Sequence, residues 1–165
     1  MDPRKGAQRL GFEQLVREHA GRIRRIARRF AANAAVDDLE QDILMRLWRS
    51  YPGFRGDSKV ESWVYRVALN AAMTHVSQRV KARAAQAAMS AQSAVSSEGV
   101  AGSTSPAQIL SDFLGRLGDI DASILMMYMD GLTSGEMSGV LGITENAINV
   151  RISRIKLRFN EAYID

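Results

Sequence analysis

Arg151, Arg154 and Arg158 stand at i, i+3 and i+7 near the end of the chain, where Ile148, Ile152, Ile155 and Phe159 recur at helical spacing. At about 100° per residue the four apolar positions share one face and the arginines form a separate stripe. Asn146, Asn149 and Ser153 form a polar stripe on the other flank. Guanidinium groups grip phosphates and position a helix on DNA. Asparagine is among the few side chains able to bond adenine bidentately in the major groove. A solvated amphipathic face would have the same pattern, so the helix by itself leaves both readings open. Its context favours DNA. Thr133 and Glu136 form a capping box ahead of a short segment carrying Met137, Val140 and Leu141. Gly142 then turns the chain and Thr144 caps the longer helix. A short helix, a tight turn and a longer helix make a helix-turn-helix.

Two further groups could meet nucleic acid. Residues 22–29 read RIRRIARR and hold Arg22, Arg24, Arg25, Arg28 and Arg29. They could contact phosphates or pair with the acidic stretch Asp37, Asp38, Glu40 and Asp42, and a solvated, locally paired face is the favoured account. The segment GFRGDS, residues 53–58, is a loop of small and polar residues that suits either a plain turn or a pocket around an extruded base. Trp63 and Asn70 follow at i and i+7. On physical grounds Trp63 is a core anchor slightly more readily than a stacking platform, and Asn70 needs a partner if it is buried.

Other chemistries are excluded or unsupported. The chain has no cysteine, which removes disulfides, thiol catalysis and cysteine-ligated metals. His19 and His75 are the only imidazoles and are far apart, so neither a metal nor another cofactor is expected. No nucleophile motif, Gly-rich phosphate loop or carboxylate–histidine cluster is present, and no enzymatic activity is expected. The N-terminus MDPRKGAQRL has no apolar signal-type run and no apolar stretch approaches a membrane span, so the expected setting is cytoplasmic with no membrane insertion. A net charge of +4 favours a polyanionic partner only mildly; its distribution matters more.

The elements that must position these residues fall into two groups. Residues 83–105 are rich in Ala, Ser and Gly and read as a linker whose Ala-rich start continues the preceding helix. The modules are therefore 1–82 and 106–165. In the first, Leu15, His19, Ile23, Ile26 and Phe30 mark one helix. A second starts after Asp37-Asp38, with Leu39, Ile43 and Leu47 on one face and Leu44, Trp48 and Tyr51 on the adjacent one. Ser58 and Glu61 form a capping box for a third, with Val60, Val64, Val67 and Ala71 as its apolar stripe. In the second module, Ser105, Pro106 and Gln108 open a helix with Ile109, Phe113, Leu114 and Leu117. Asp121 opens another, carrying Ile124, Leu125, Met127 and Tyr128 and closed by Asp130-Gly131. No strand alternation occurs, so the fold class is all-α: two small helical modules joined by a flexible linker.

Three segments resemble the extracytoplasmic-function (ECF, group IV) sigma factors of the sigma-70 family of bacterial RNA polymerase. Asp38-Leu39-Glu40-Gln41-Asp42-Ile43 through Arg46-Leu47-Trp48 is similar to the family's region-two helix. GFRGDSKVESWVYRVALNAA, residues 53–72, matches the family's F-R-G-x-S…W-L/V-Y-R-I/V-A-x-N run almost position for position. DGLTSGEMSGVLGITENAINVRISRIKLRF, residues 130–159, is similar to region four, with Asn149 where the family often has Lys or Arg. The resemblance implies an alternative sigma factor that directs RNA polymerase core to specific promoters and initiates transcription. It implies core binding, on the polymerase clamp helices, through Asp38, Leu39, Gln41, Asp42 and Arg46. It implies −10 element recognition by Phe54, Arg55, Gly56, Asp57, Ser58, Trp63 and Asn70, with Arg79, Lys81 and Arg83 on nearby phosphates. It implies −35 element recognition by Asn146, Asn149, Arg151, Ser153, Arg154 and Arg158. Promoter DNA and an anti-sigma factor are the other implied partners, and the free protein is expected to be a monomer. The rivals are a one-component helix-turn-helix regulator and an interaction protein that only titrates polymerase or an inhibitor. Few aromatics are expected near the 53–58 loop, so melting is expected only at good promoters and with polymerase present. A linker of about 24 residues has an r.m.s. span of roughly 27 Å. It cannot set the spacing of two promoter elements, which leaves that task to the polymerase.

Overall fold

The computed structural model describes residues 3–89 and 105–164, and every regular element among them is helical. The chain divides into two compact units, Met1–Val76 with Gly139–Gly142 and Ser77–Ser138 with Ile143–Asp165. Three helices build the N-terminal part: α1 (Pro3–Phe30), α2 (Val36–Ser50) and α3 (Val60–Met89). Four build the C-terminal part: α4 (Pro106–Arg116), α5 (Asp119–Met129), α6 (Ser134–Leu141) and α7 (Glu145–Tyr163). Residues 83–89, expected to lie in the linker, are the last two turns of α3; residues 90–104 lie outside the described residues.

The apolar periodicity becomes the core of the first unit. Leu15, His19, Ile23, Ile26 and Phe30 of α1 are all buried, as are Leu39, Ile43 and Leu47 of α2 and Val64, Ala68, Leu69 and Ala72 of α3. Burying each large aliphatic side chain contributes about 1.5–3 kcal/mol. The stripe of α3 is rotated slightly from its expected position: Val64 and Ala71 are buried, while Val60 and Val67 are only half-buried. Two helix starts also differ. The Trp63 N–H bonds the Lys59 carbonyl at 3.1 Å, so the cap position of α3 is Lys59, one residue after Ser58. α2 begins at Val36 with no side-chain cap, and Asp37 and Asp38 lie inside its first turn. There their charges complement the positive end of the helix dipole without serving as caps.

The C-terminal unit follows its local signals closely. The Ser105 hydroxyl accepts from the Gln108 N–H at 3.3 Å and Pro106 follows at N1. The α5 start falls two residues before Asp121, with Gly118 at the cap position and both Asp119 and Asp121 in the first turn. Gly131, at φ +80°, ends α5, and the Leu132 N–H closes back to the Met127 carbonyl at 3.0 Å in a Schellman-type stop. Thr133 and Glu136 form the reciprocal capping box: the Thr133 N–H donates to Glu136 at 2.8 Å and the Glu136 N–H to the Thr133 hydroxyl at 3.2 Å. Phe113, Leu114, Ile124, Met126, Met127, Met137, Ile148 and Ile155 fill the interior.

Candidate nucleic-acid interface

α6, the turn at Gly142 (φ +70°) and α7 form the helix-turn-helix. The Thr144 hydroxyl accepts from the Ala147 N–H at 3.2 Å and fixes the start of α7. Ile148 and Ile155 bury one face of α7 completely or nearly so. Asn146, Asn149, Ser153, Arg154 and Arg158 are exposed on the same helix. Their individual environments divide them. The Asn149 amide oxygen accepts from the Ser134 hydroxyl at 2.5 Å, and the Asn149 carbonyl accepts from the Ser153 hydroxyl at 3.1 Å. Arg151 turns inward across the unit and donates to Asp121 of α5 at 2.7 Å. The three-arginine stripe is thus two outward cations, Arg154 and Arg158, and one tie between helices. Lys156 supplies a second tie, its ammonium 4.6 Å above the Tyr128 ring.

The far end of α7 is anchored by aromatic rings. Phe113 of α4 meets Phe159 edge-on at 5.1 Å, and Tyr163 lies 5.1 Å from Phe159. The Tyr163 hydroxyl donates to Asp112 at 3.2 Å. Loss of hydration, followed by that bond, holds the phenol above its ordinary pKa. Beside these rings, Leu110, Leu125, Ile155 and Phe159 line an open apolar cleft of about 200 Å³.

In the N-terminal unit the loop entering α3 joins a cluster of five aromatic rings. Phe54 packs 4.9 Å from Trp63, Trp63 lies 6.4 Å from Tyr51, and Phe12 of α1 reaches both Tyr51 (5.5 Å) and Trp48 (5.0 Å). The expectation of few aromatics near the loop is therefore corrected: Phe54 of the loop lies on Trp63, which adjoins Tyr51, and Phe12 of α1 links Tyr51 to Trp48. Trp63 itself is 8% exposed, a floor beneath Phe54. Arg55, Gly56 and Asp57 are exposed above it, with Ser58 half-buried and Gly56 at φ +79°. Asn70, two turns beyond Trp63, is exposed, so it does not require a buried partner. Lys81 and Arg83 are exposed further along α3, and Arg79 is half-buried.

α2 presents a second surface. Asp38 and Gln41 are exposed, and half-buried Asp42 accepts from Arg46 at 3.0 Å. Leu39, at 2% exposure, lies beneath them in the core. The same exposed stripe continues into Met45 and Trp48, at 48% and 40% exposure, which the sequence pattern did not single out as surface residues. The arginine run of α1 is largely engaged within the unit. Arg24 bonds Asp37 at 2.5 Å and also Glu40, and these bonds hold its guanidinium above its ordinary pKa. Arg22 bonds buried His19 and lies 5.5 Å over the Tyr65 ring, and Arg29 lies 5.0 Å over Phe30.

Among the described residues no group of three or more His, Asp or Glu side chains could hold a metal ion, and no helix is long and apolar enough to cross a membrane. Residues 15–82 match Sigma-70 region 2 and residues 107–159 match Sigma-70, region 4. The ECF RNA polymerase sigma factor SigE of Mycolicibacterium smegmatis is 27% identical over 87% of this chain and 58% of its own length. The ECF RNA polymerase sigma-E factor of Escherichia coli is 31% identical over 44% of this chain and 37% of its own. The chain thus spans little more than half, or less, of these curated relatives. The fold is shared with the sigma factor RpoE of Bartonella quintana, solved in complex with the anti-sigma factor NepR, at a TM-score of 0.72 and 19% identity over 94% of this chain and 98% of that one. It is shared with CnrH, solved with the cytosolic domain of CnrY, at a TM-score of 0.64 and 23% identity over 93% and 88% of the two chains. With both regions matched, in order, over well over half of its length, the chain belongs to the sigma-70 family, and the curated relatives it resembles are of the extracytoplasmic-function type.

Proposed function

We propose that this protein is an alternative sigma factor that directs RNA polymerase core to specific promoters and initiates transcription, with no catalytic activity of its own. The observation that carries this reading is the pairing of two surfaces in one chain. A helix-turn-helix exposes Asn146, Asn149, Arg154 and Arg158 on one unit, and a loop over a five-ring cluster precedes exposed Asn70 on the other. A duplex-binding regulator needs only the first. The α7 face would read and grip the −35 element, and residues 54–58 with Asn70 would hold an unpaired base of the −10 element. Trp63 would act from below, by keeping Phe54 and the loop in place.

Opening DNA costs about 1.4 kcal/mol per base-pair step on average, and stacking a captured base returns about 1–3 kcal/mol. Capture by one loop therefore offsets only one or two steps, and polymerase must supply the remainder. The stripe of exposed Asp38, Gln41, Met45 and Trp48 with half-buried Asp42 and Arg46 of α2 is the proposed polymerase contact, with Leu39 supporting it from within. Acting on polymerase and promoter DNA places the protein in the cytoplasm. Because RpoE and CnrH were solved with NepR and CnrY, an anti-sigma factor is the proposed inhibitory partner.

In vitro transcription with purified protein, core polymerase and a library of genomic fragments tests the reading. Starts that share two upstream elements and are lost on changing Asn70 or Arg154 would support it. Tight duplex binding by the protein alone, with no core binding and no starts, would replace it with a one-component regulator. Core binding without starts would indicate a protein that only titrates polymerase.

A further inference from the structure

The outward face of α7 carries an apolar side chain that the core does not use. Val150 is 41% exposed, whereas Ile148 and Ile155 of the same helix are 0% and 3% exposed. Val150 stands about 140–160° around the helix from both. Among the described residues, the other exposed positions between 145 and 154 are Glu145, Asn146, Asn149, Ser153 and Arg154, all polar or charged. Val150 is therefore an apolar point within a polar surface, in the second turn of the helix.

Its direction is set by the backbone. The Thr144 cap fixes where α7 begins. Buried Ile148 and Ile155, with the Arg151–Asp121 bond at 2.7 Å, fix its rotation on the unit. A valine within a helix keeps one χ1 rotamer about 90% of the time. Both methyl groups thus point where the helix aims them, and no partner is needed to hold them there.

Such a side chain has one use on a base edge. Every base pair offers donors and acceptors in the major groove, but the one apolar group there is the thymine C5-methyl. Valine can neither donate nor accept. Against cytosine N4 or a purine edge it would displace water and return no hydrogen bond. Against the thymine methyl it removes apolar surface from water on both partners. Base edges are met by the N-terminal residues of a recognition helix, which is where Val150 lies. We propose that Val150 is a specificity-determining residue of α7 that contacts the C5-methyl group of one thymine in the −35 element. This rests on the promoter-reading role proposed above for α7.

The test uses the full chain assembled with core polymerase. An upstream element is first selected from a randomised library. Each of its thymines, on either strand, is then replaced singly by deoxyuridine, which removes the methyl group and leaves the pairing and the O4 acceptor in place. The unaltered chain is expected to lose about three- to fourfold in promoter affinity at one position, the effect of withdrawing one apolar carbon from contact. Val150→Ser is expected to bind the thymine and deoxyuridine promoters equally at that position. Leu157→Ser serves as the control: Leu157 is also outward, at 58% exposure, but lies two turns further from the helix start, and the methyl effect is expected to persist in it. Thermal melting of Val150→Ser, expected to match the unaltered chain, separates the effect from misfolding. A methyl effect that persists undiminished in Val150→Ser overturns the inference while leaving the sigma reading intact. So does an unaltered chain indifferent to deoxyuridine at every position, or a selected element with no thymine on either strand. If the unaltered chain selects no upstream element at all, the promoter reading and this inference fall together.

Discussion

The Arg151 guanidinium of α7 donates to the Asp121 carboxylate of α5 at 2.7 Å, with the two side chains 40% and 23% exposed. A pair so placed is screened less than a fully exposed one. It joins the helix that carries the candidate DNA-reading face to the helix beneath it. Asp121→Ala and Arg151→Ala should each destabilise the C-terminal unit by about 1 kcal/mol. The double variant should lose little more than either single one. A urea-denaturation double-mutant cycle measures this directly, and fully additive losses would show that the pair contributes nothing.

The same pairing separates the three arginines in their response to salt. Each side chain that neutralises a phosphate adds about one unit to the slope of log affinity against log salt. Arg154→Ala and Arg158→Ala should each lower that slope by about one for polymerase-bound protein on promoter DNA. Arg151→Ala should lower it much less, with its effect appearing in stability. Equal slope changes for all three would place Arg151 on the phosphates after all.

Trp63 and Asn70, though two turns apart on one face, should also behave differently. Trp63→Ala removes a buried aromatic and should cost about 3–5 kcal/mol in stability. Asn70→Ala changes an exposed residue and should stay within about 0.5 kcal/mol. With core polymerase, however, Asn70→Ala should weaken promoter opening, followed by fluorescence of 2-aminopurine placed in the −10 element. Normal opening with Asn70→Ala would remove it from the proposed −10 contact.

Gly11 of α1 lies beneath Tyr51, where a new Cβ would approach the Tyr51 hydroxyl to 2.7 Å. Alanine favours a helix interior over glycine by about 0.8–1.0 kcal/mol, but this contact opposes it. Gly11→Ala should therefore give little or no gain in the unaltered chain. In a Tyr51→Phe background, which removes the hydroxyl, it should stabilise by about 1 kcal/mol. Thermal unfolding of the four proteins decides it.

Tyr163 gives a pH dependence with a definite sign. Folding raises its pKa above the ordinary value, first by loss of hydration and then through the bond to Asp112. Its contribution is therefore present in full below the unfolded tyrosine value of about 10 and is lost as pH rises through the higher folded value. The stability difference between the unaltered chain and Tyr163→Phe should be constant from neutral pH to about pH 10 and shrink above it. Chemical denaturation at a series of alkaline pH values measures it, and a difference that shrinks below pH 9 would contradict the assignment.

Much of this protein is local and could be read along the chain. The apolar positions of α1 and α2, the Ser105, Thr133 and Thr144 caps, and the glycine stops at Gly131 and Gly142 depend on neighbours within a few residues. Side-chain periodicity and cap chemistry act over that range, so both helical modules and the helix-turn-helix were legible. The partners of individual side chains were not. Arg151 bonds a residue thirty positions earlier, Ser134 meets Asn149 across a turn, and Phe12 of α1 packs on Trp48 and Tyr51 far along the chain. Periodicity states which face of a helix a residue occupies, whereas the packing of one helix on another decides what that face meets. Chain order alone therefore determined that two arginines flank Arg154, and only the tertiary structure decided that one is a tie and the other faces outward.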